Sequence, residues 1–566
     1  MESSCHHFVI IIRYMVSTLP EILAHHAETI PDQLFTRIIK GGVEVKSRTF
    51  LEAWRWATQW AALFAEHGLG RGDAVVLALS NTDAFVGAYY GALIAGCAPA
   101  PLAPMRRITE DDPYLNTVIE RVKFINAKAL VVPSGQSAIC NLQTQIPAAV
   151  LTESHIDPAC TLNSPRSTFD DIALIQFTSG TLGDPKAVLL TQRALVAQVE
   201  WLRDWLVLFD RFRERGVSWL PLFHDMGLIG FLLTPGYAGG EVNLLQPEDF
   251  ILRPALWLKA ITDYKATVTG APPSAYALCV KRVKDSDVGQ YDLSSVRAAL
   301  IGAEMVTRES VTAFCGKFRA AGFRASALMP TYGLAENALA VTMPPLEAEP
   351  EFDAVDGRAL AEGIARPIGD GDPAHIRWFA SVGEPLPGVT LRIVNEAGDD
   401  LPDRRVGEII IKSPSVMSGY HGSNEIAIRA GWLYTGDLGY LAGSNLHVTG
   451  RKKEVIIVGG RNYYPDDVEQ VMNGVPGVRM DRVVAIGVED IERSTEMLVV
   501  LAETDRADEA ERDALRMNMR QALLAAGYPI GKVVLLKPKS IQSTLTGKLK
   551  RSDCRARYLA GEFPER

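Results

Sequence analysis

No stretch of this chain approaches the roughly 20 consecutive apolar residues that a membrane-spanning helix requires. Nor is there an excess of positive charge: the net charge is −9 over 566 residues, which argues against a nucleic-acid binder, whose footprint would be basic. Cysteine is sparse and unpatterned. The seven cysteines (Cys5, Cys97, Cys140, Cys160, Cys279, Cys315 and Cys554) are odd in number and never form a CxxC pair. That excludes the usual zinc spacing and a disulfide framework, and a reducing cytoplasm is expected. Internal repeats and low-complexity tracts are absent. The ten histidines are dispersed, and the His25-His26 pair, in a polar helix-like stretch, is expected to be solvated. At the start, Phe8 to Ile12 is apolar but short, is interrupted by Arg13 and is not preceded by Lys or Arg, unlike a secretory signal. Residues 1–14 are expected to be disordered or a non-native start.

What is present is the composition of a large globular protein, 47% hydrophobic and 22% charged, long enough for two or more domains. Trp56, Trp60, Leu63 and Phe64 form one helical stripe, Ala74 to Leu79 reads as a buried strand, and about Thr82 to Ala95 as another helix. Strands and helices alternate from the start, the signature of a wound α/β domain.

The chain is organised around Thr178-Ser179-Gly180-Thr181-Leu182-Gly183-Asp184-Pro185-Lys186-Ala187. It follows the apolar run Ile172 to Ile175 and precedes a helix-like stretch from Arg193, so a turn between strand and helix is expected. Backbone N–H groups, hydroxyls and a cation suit a polyphosphate. The spacing is Gly180-x-x-Gly183-x-x-Lys186, not the GxxxxGK[ST] of the common phosphate loop. Downstream, the His224-Asp225-Met226-Gly227 turn, Gly302-Ala303-Glu304 and the run from Tyr332 to Glu336 each close an apolar run with polar residues. A single histidine such as His224 is as readily a capped-turn residue satisfied by a carbonyl. Several such strand ends together imply a ligand crevice at the carboxyl edge of a sheet.

Residues 342–380 carry Pro344, Pro345, Pro350 and several acids with little periodicity, and read as an insertion or long surface loop. Beyond them, short strands over Val389 to Val394, Gly407 to Ile411 and Leu446 to Val448 suggest a small β-rich subdomain around the run Trp432 to Gly439. Gly450 to Glu454 reads as a linker. Strands at Val455 to Val458, Val483 to Ile486, Met497 to Leu501 and Val533 to Leu536, with a helix over about Ala507 to Ala526, then form a small α+β domain. It ends in the basic loop Gly547 to Arg551.

The ordered set of the phosphate loop, Gly302-Ala303-Glu304, Tyr332-Gly333-Leu334-Ala335-Glu336, Tyr434-Thr435-Gly436-Asp437, Gly450-Arg451-Lys452-Lys453-Glu454 and Thr546-Gly547-Lys548 resembles the adenylate-forming superfamily of acyl-CoA synthetases, luciferases and adenylation domains. The likeness runs from about Leu19 to Arg557. Gln176 to Gly180, Trp219 to Gly230 and Gly460 to Asp467 are worded most like the fatty acyl-AMP ligases of that superfamily. The resemblance implies a large α/β N-terminal domain over 15–451, including the β-rich subdomain, and a small mobile α+β domain over 452–566 with its hinge at Lys453. The 342–380 stretch is similar to the insertion by which those ligases are thought to hinder a second, CoA-using conformation.

It also implies roles. A fatty carboxylate attacks the α-phosphorus of ATP and expels pyrophosphate, so charge neutralisation and alignment are what a protein can supply. Thr178, Ser179, Gly180, Thr181 and Lys186 would hold the β- and γ-phosphates, and Glu336 and Thr178 would hold Mg²⁺. Gly302, Ala303, Glu304 and Tyr332, with Gly333, Leu334 and Ala335, would frame the adenine, Tyr332 by stacking. Asp437 would accept the ribose hydroxyls with Arg451 in support. Lys548 and His224 join Glu336 as the catalytic candidates. Two departures stand out: Leu182 where the family loop keeps a hydroxyl, and Ala187 where it keeps glycine. The expected partner is an acyl carrier protein with its phosphopantetheine thiol. A fatty acyl-CoA synthetase is the second reading. A non-catalytic binding module is the third, against which the joint retention of Glu336, Asp437, Arg451 and Lys548 argues. Small residues such as Gly236, Gly239 and Gly240 are expected to leave room for the acyl chain.

Overall fold

The computed structural model describes residues 17–104, 113–134, 146–178, 186–206, 214–369, 375–423, 427–459, 461–490, 495–529, 531–543 and 549–563. Its two N-terminal sheets follow from short β-branched and alanine-rich runs alternating with amphipathic helices. The larger has seven strands in the order Leu328–Pro330, Ala298–Ile301, Val268–Ala271, Arg215–Ser218, Glu241–Leu245, Leu34–Lys40 and Val43–Thr49. All neighbours run parallel except the last pair. The second sheet is parallel throughout, in the order Ala98–Pro101, Ala74–Leu77, Ala129–Val131 and Ala149–Leu151.

The tryptophan stripe lies on the helix Phe50–Glu66. Thr49 starts that helix with a capping box: its hydroxyl accepts the Glu52 N–H at 3.3 Å, and the Glu52 carboxylate accepts the Thr49 N–H at 2.9 Å. Trp60 and Phe64 are wholly buried against the helix Asp83–Ala95 and the larger core. His26 departs from expectation. It is buried, with its Nε2 3.1 Å from the Tyr237 carbonyl oxygen and its ring 5.1 Å from that of Phe50. Only His25 of the pair is exposed, because successive residues of the helix Leu19–Thr29 are turned by about 100° and only His26 falls on its buried face.

A five-stranded antiparallel sheet is built from Thr390–Val394, Gly407–Lys412, Trp432–Ala442, Ile428–Arg429 and Asn445–Arg451. The 342–380 stretch is not the irregular loop its composition suggested. Phe352–Asp356 pairs antiparallel with Ile376–Ala380, and a short helix, Gly357–Ala361, leaves the first strand. Val355, Leu360 and Phe379 share a small core with Tyr440 and Tyr464, and Asp353 takes a hydrogen bond from the Tyr440 hydroxyl and another from Arg404, each at 2.8 Å. Alternation over five residues per strand was too short a signal amid prolines and acids.

The C-terminal domain has a three-stranded sheet. Val483–Asp490 lies antiparallel to Thr495–Glu503, and Lys532–Leu536 lies parallel to the latter. Leu515, Met519 and Leu523 of the helix Glu509–Ala525 cover one face of it, and Cys554 of the helix Arg551–Leu559 lies against the other. The segment from Gly450 to Glu454 is a strand end and a single 3₁₀ turn, Lys452–Glu454, rather than an open linker.

Candidate active site

Four parallel strands of the large sheet end at one crevice. Leu220 to Met226 follow Arg215–Ser218, Pro272 follows Val268–Ala271, Ala303 and Glu304 follow Ala298–Ile301, and Thr331 to Glu336 follow Leu328–Pro330; nearly all line one cavity of about 890 Å³. This is the carboxyl-edge placement expected of a ligand site in an open parallel sheet.

The strand Ile172–Thr178 and the strand Lys186–Thr191 contribute the fifth wall. They pair antiparallel with Thr178 opposite Lys186, so the phosphate-loop segment joins two strands rather than a strand and a helix. The helix Gln192–Trp205 begins only after the second strand, and its N-terminus is not at this turn. Ser179, Gly180 and Thr181 lie outside the described residues, as do Leu182 and Lys548.

Thr178, Lys186, His224, Ala303, Glu304, Tyr332, Gly333, Leu334, Ala335, Glu336 and Arg451 all line the cavity, together with Lys453. Gly302 and Asp437 stand just behind the lining. A Cβ on Gly302 would fall 2.7 Å from the Thr331 carbonyl oxygen, so the chain can pass Thr331 only as glycine. Ala303 next to it holds φ at 67°, a left-handed conformation that alanine adopts only under constraint. The Glu304 carboxylate accepts the Ser274 N–H and hydroxyl, each at 3.2 Å, at the start of the helix Pro273–Arg282. A negative charge there is favoured by the helix dipole.

Gly333 makes the next turn possible. A Cβ there would sit 2.0 Å from the Leu339 carbonyl oxygen, and the Leu334 N–H donates to that same oxygen at 2.8 Å. The turn presents the 3₁₀ helix Ala335–Asn337, and with it the Glu336 carboxylate. Tyr420 donates its hydroxyl to Glu336 Oε1 at 2.7 Å, and its ring centroid lies 4.5 Å from the Lys186 ammonium. Tyr420 is the residue that sequence reasoning missed. It stands in the short strand Gly419–Tyr420, which pairs with the phosphate-loop hairpin across more than two hundred residues, and nothing local to Ser418-Gly419-Tyr420 signals that pairing.

Asp437 is buried and held from two sides. The Tyr332 hydroxyl donates to Oδ2 at 2.8 Å, and Arg451 Nε lies 3.1 Å from Oδ1. Burial, with the neighbouring Asp437 charge, pushes the Tyr332 phenol well above its ordinary range, so it remains a donor. Asp437 in turn raises Arg451. His224 Nδ1 lies 2.6 Å from Asp225 Oδ1, so a carboxylate helps fix that ring. Burial opposes the Asp225 charge, but the His224 imidazole and the Met226 N–H outweigh it and hold the carboxyl below its usual value. Among the described residues no group of three or more His, Cys, Asp or Glu is arranged to hold a metal ion.

Apolar side chains line the same cavity: Leu202, Leu220, Met226, Leu300, Leu339 and Met343. The glycines expected to open a tunnel do not. The space beside Gly236 is filled by Tyr90 and Phe35, within 2.5 and 3.1 Å of where a Cβ would stand, and Gly239 ends the helix Thr234–Ala238.

A crevice at the ends of parallel strands, lined by a fixed carboxylate–arginine–tyrosine group and by aliphatic side chains, suits an enzyme that joins an acid to a nucleotide. The chain belongs to the AMP-binding enzyme family, which matches it over residues 23–421, and it is an acid–AMP ligase of the adenylate-forming type. Among similar proteins, a Caulobacter vibrioides protein with a provisional acyl-CoA synthetase name is 34% identical over 502 residues, 87% of each chain. The medium-chain-fatty-acid–[acyl-carrier-protein] ligase JamA of Moorena producens is 30% identical over 97% of this chain and 96% of its own. A solved structure from a study of fatty acyl-adenylate ligases of E. coli and L. pneumophila superposes with a TM-score of 0.88, at 31% identity, over 97% of this chain and 99% of that one.

Proposed function

We propose that the chain activates a fatty acid to its acyl-adenylate with ATP, releasing pyrophosphate, and passes the acyl group to the phosphopantetheine thiol of an acyl carrier protein. The observation that carries the first step is one cavity lined both by Glu336, Tyr332 and Arg451 and by the apolar side chains of Leu202, Leu300 and Met343. Asp437, clamped by Tyr332 and Arg451, accepts the ribose hydroxyls, and Tyr332 with Ala303 and Glu304 flanks the adenine. Thr178, Ser179, Gly180, Thr181 and Lys186 receive the β- and γ-phosphates. Glu336 and Thr178 suit Mg²⁺, an ion that prefers one or two protein oxygens and takes the rest of its ligands from phosphate and water, in keeping with the lack of a larger ligand cluster among the described residues. Bound there, Mg²⁺ would neutralise charge on the polyphosphate. His224, which Asp225 helps fix, lines the cavity with Met226, and Lys548 supplies a point charge to the carboxylate and α-phosphate.

The choice of carrier protein over CoA rests on the hairpin of residues 352–380. Arg377 of that hairpin donates to the Tyr528 hydroxyl at 2.8 Å and to the Ala526 carbonyl at 2.9 Å, both in the C-terminal domain. A domain tethered in this way is restrained from the rotation that a CoA-using half-reaction needs. The Caulobacter relative's name favours the second reading, an acyl-CoA synthetase. Incubation with ATP, Mg²⁺, dodecanoate and CoA, and separately with a phosphopantetheinylated carrier protein, separates the two. Acyl-AMP that persists with CoA and is consumed by the carrier is expected; rapid acyl-CoA formation would instead make the protein a synthetase.

A further inference from the structure

Four large apolar side chains stand exposed together outside the cavity, and nothing in the proposed chemistry uses them. Val43 and Val45 are 66% and 57% exposed on the strand Val43–Thr49. Ile251 and Leu252 are 46% and 74% exposed at the end of the helix Pro247–Leu252. The turn at Gly41-Gly42 brings the two pieces together. The Gly41 N–H donates to Asp249 Oδ2 at 2.5 Å, and a Cβ on Gly42 would fall 2.8 Å from the Leu256 side chain. Val43 follows that turn directly, while Ile251 and Leu252 lie between Asp249 and Leu256. Three exposed cations border the four: Lys40 precedes the turn, Lys46 follows Val45 and Arg253 follows Leu252. Among the described residues no carboxylate pairs with any of the three. The neighbouring acids are engaged, Glu44 with Arg37 at 2.7 Å and Asp249 with the turn. A chain of net charge −9 thus carries a local excess of positive charge around an apolar patch. The patch shares the cavity's edge of the large sheet. Leu220 and His224, which line the cavity, follow Arg215–Ser218. The next two strands, Glu241–Leu245 and Leu34–Lys40, run parallel to it and end at the helix Pro247–Leu252 and at the Gly41-Gly42 turn. Each is one further strand along, at about 4.8 Å per strand.

We propose that this patch docks the chain on an anionic lipid surface. Val43, Val45, Ile251 and Leu252 enter the headgroup layer, and Lys40, Lys46 and Arg253 meet lipid phosphates. Apolar side chains flanked by unpaired cations suit such an interface, which favours them by burial of apolar area and by charge attraction together. Pairing with a second copy is disfavoured. Val43–Thr49 is the edge strand of its sheet, but it carries Lys46 and an irregular register opposite Ile38 and Ile39. Both features oppose edge-to-edge pairing. The use of the docking rests on the fatty-acid reading of the cavity: it holds the cavity's edge of the sheet at the bilayer, where long-chain acids partition.

Cosedimentation with vesicles reads the docking without ATP or acid, so it stands apart from the fatty-acid reading, which pyrophosphate exchange tests on its own. The wild-type chain is compared with a cation variant, Lys40→Gln/Lys46→Gln/Arg253→Gln, and an apolar variant, Val45→Ser/Leu252→Ser. The vesicles are phosphatidylcholine alone or phosphatidylcholine with about one third phosphatidylglycerol. Salt is set at about 0.1 M and about 1 M, where the screening length falls from about 10 Å to about 3 Å. Wild type is expected on the anionic vesicles at the lower salt and neither on phosphatidylcholine alone nor at the higher salt. Affinity should fall about 5-fold for each cation removed, about 100-fold in the cation variant, and about 10-fold or more in the apolar variant. Both variants should keep the wild-type circular dichroism and wild-type exchange with dissolved octanoate, because the replaced side chains are exposed and outside the cavity. The two share no residue, so one suffices should the other not fold. No binding of wild type to anionic vesicles, or binding that a folded variant leaves unchanged, would overturn the proposal. So would a dimer in sedimentation velocity that Val45→Ser/Leu252→Ser abolishes, beside no vesicle binding; the patch would then join copies of the chain.

Discussion

In the proposed reaction the ribose falls to Asp437, one buried carboxylate whose two oxygens are already held by Tyr332 and Arg451. Replacing it with alanine removes a charged acceptor worth about 1.5–3 kcal/mol, so kcat/KM for ATP should fall about 10- to 150-fold in steady-state kinetics. The acid's own KM should move much less. Tyr420→Phe deletes one hydroxyl that holds Glu336 and leaves the ring beside Lys186. About 1 kcal/mol is at stake, and a loss of about 3- to 10-fold in kcat/KM is expected. At this scale the sequence was most informative where chemistry is written into consecutive residues. Gly302-Ala303-Glu304 and the run Tyr332 to Glu336 could be picked out because a short word sits at a strand end, and Asp437 because it belongs to such a word inside the strand Trp432–Ala442. Tyr420 could not be assigned, since what matters about it is Glu336, a partner that only the fold brings near. Buried His26 was misread for the same reason: its acceptor, the Tyr237 carbonyl, is 211 residues away.

Elements show where periodicity suffices and where it does not. The helix Phe50–Glu66 was legible from four apolar positions, and its wholly buried Trp60 makes it a test of the core. Trp60→Ala should lower the free energy of unfolding by about 3–5 kcal/mol, read from denaturant melts. The phosphate-loop hairpin was misread as strand-turn-helix because Lys186–Thr191 is short and a clear amphipathic helix follows it directly. The hairpin of residues 352–380 was hidden by its prolines and acids, yet it holds the C-terminal domain through Arg377. Facing Arg377, at 4.0 Å, is Asp467, whose carboxyl burial pushes up to about 7, with Arg377 opposing and Asp466 adding to the rise. The folded chain therefore keeps a proton that the unfolded chain gives up near the ordinary carboxylate value of about 3.9, so this group's contribution to stability declines as pH rises from about 4 to about 7. Asp467→Asn removes that slope. Thermal melts across this range should find wild type losing Tm relative to the variant toward neutral pH; parallel curves would contradict the assignment.

At the scale of the whole molecule, alternation of strand and helix was enough to foresee a wound α/β body, and the adenylate-forming architecture agrees with it. The strand order was not foreseeable, because the large sheet places Leu34–Lys40 beside Glu241–Leu245, a pairing set by packing rather than by neighbourhood in the chain. That order is what brings four strand ends to the cavity that the phosphate-loop hairpin and the 3₁₀ turn Lys452–Glu454 also line. Among the described residues no helix is long and apolar enough to cross a membrane.

The central claim is that this cavity joins a fatty acid to AMP, and acid-dependent exchange of labelled pyrophosphate into ATP measures that step without any thiol acceptor. With wild-type protein, Mg²⁺ and dodecanoate, exchange well above the acid-free rate is predicted, falling about 10-fold or more in Asp437→Ala. Exchange no faster with dodecanoate or other fatty acids than without acid, or equal in wild type and Asp437→Ala, would contradict the account.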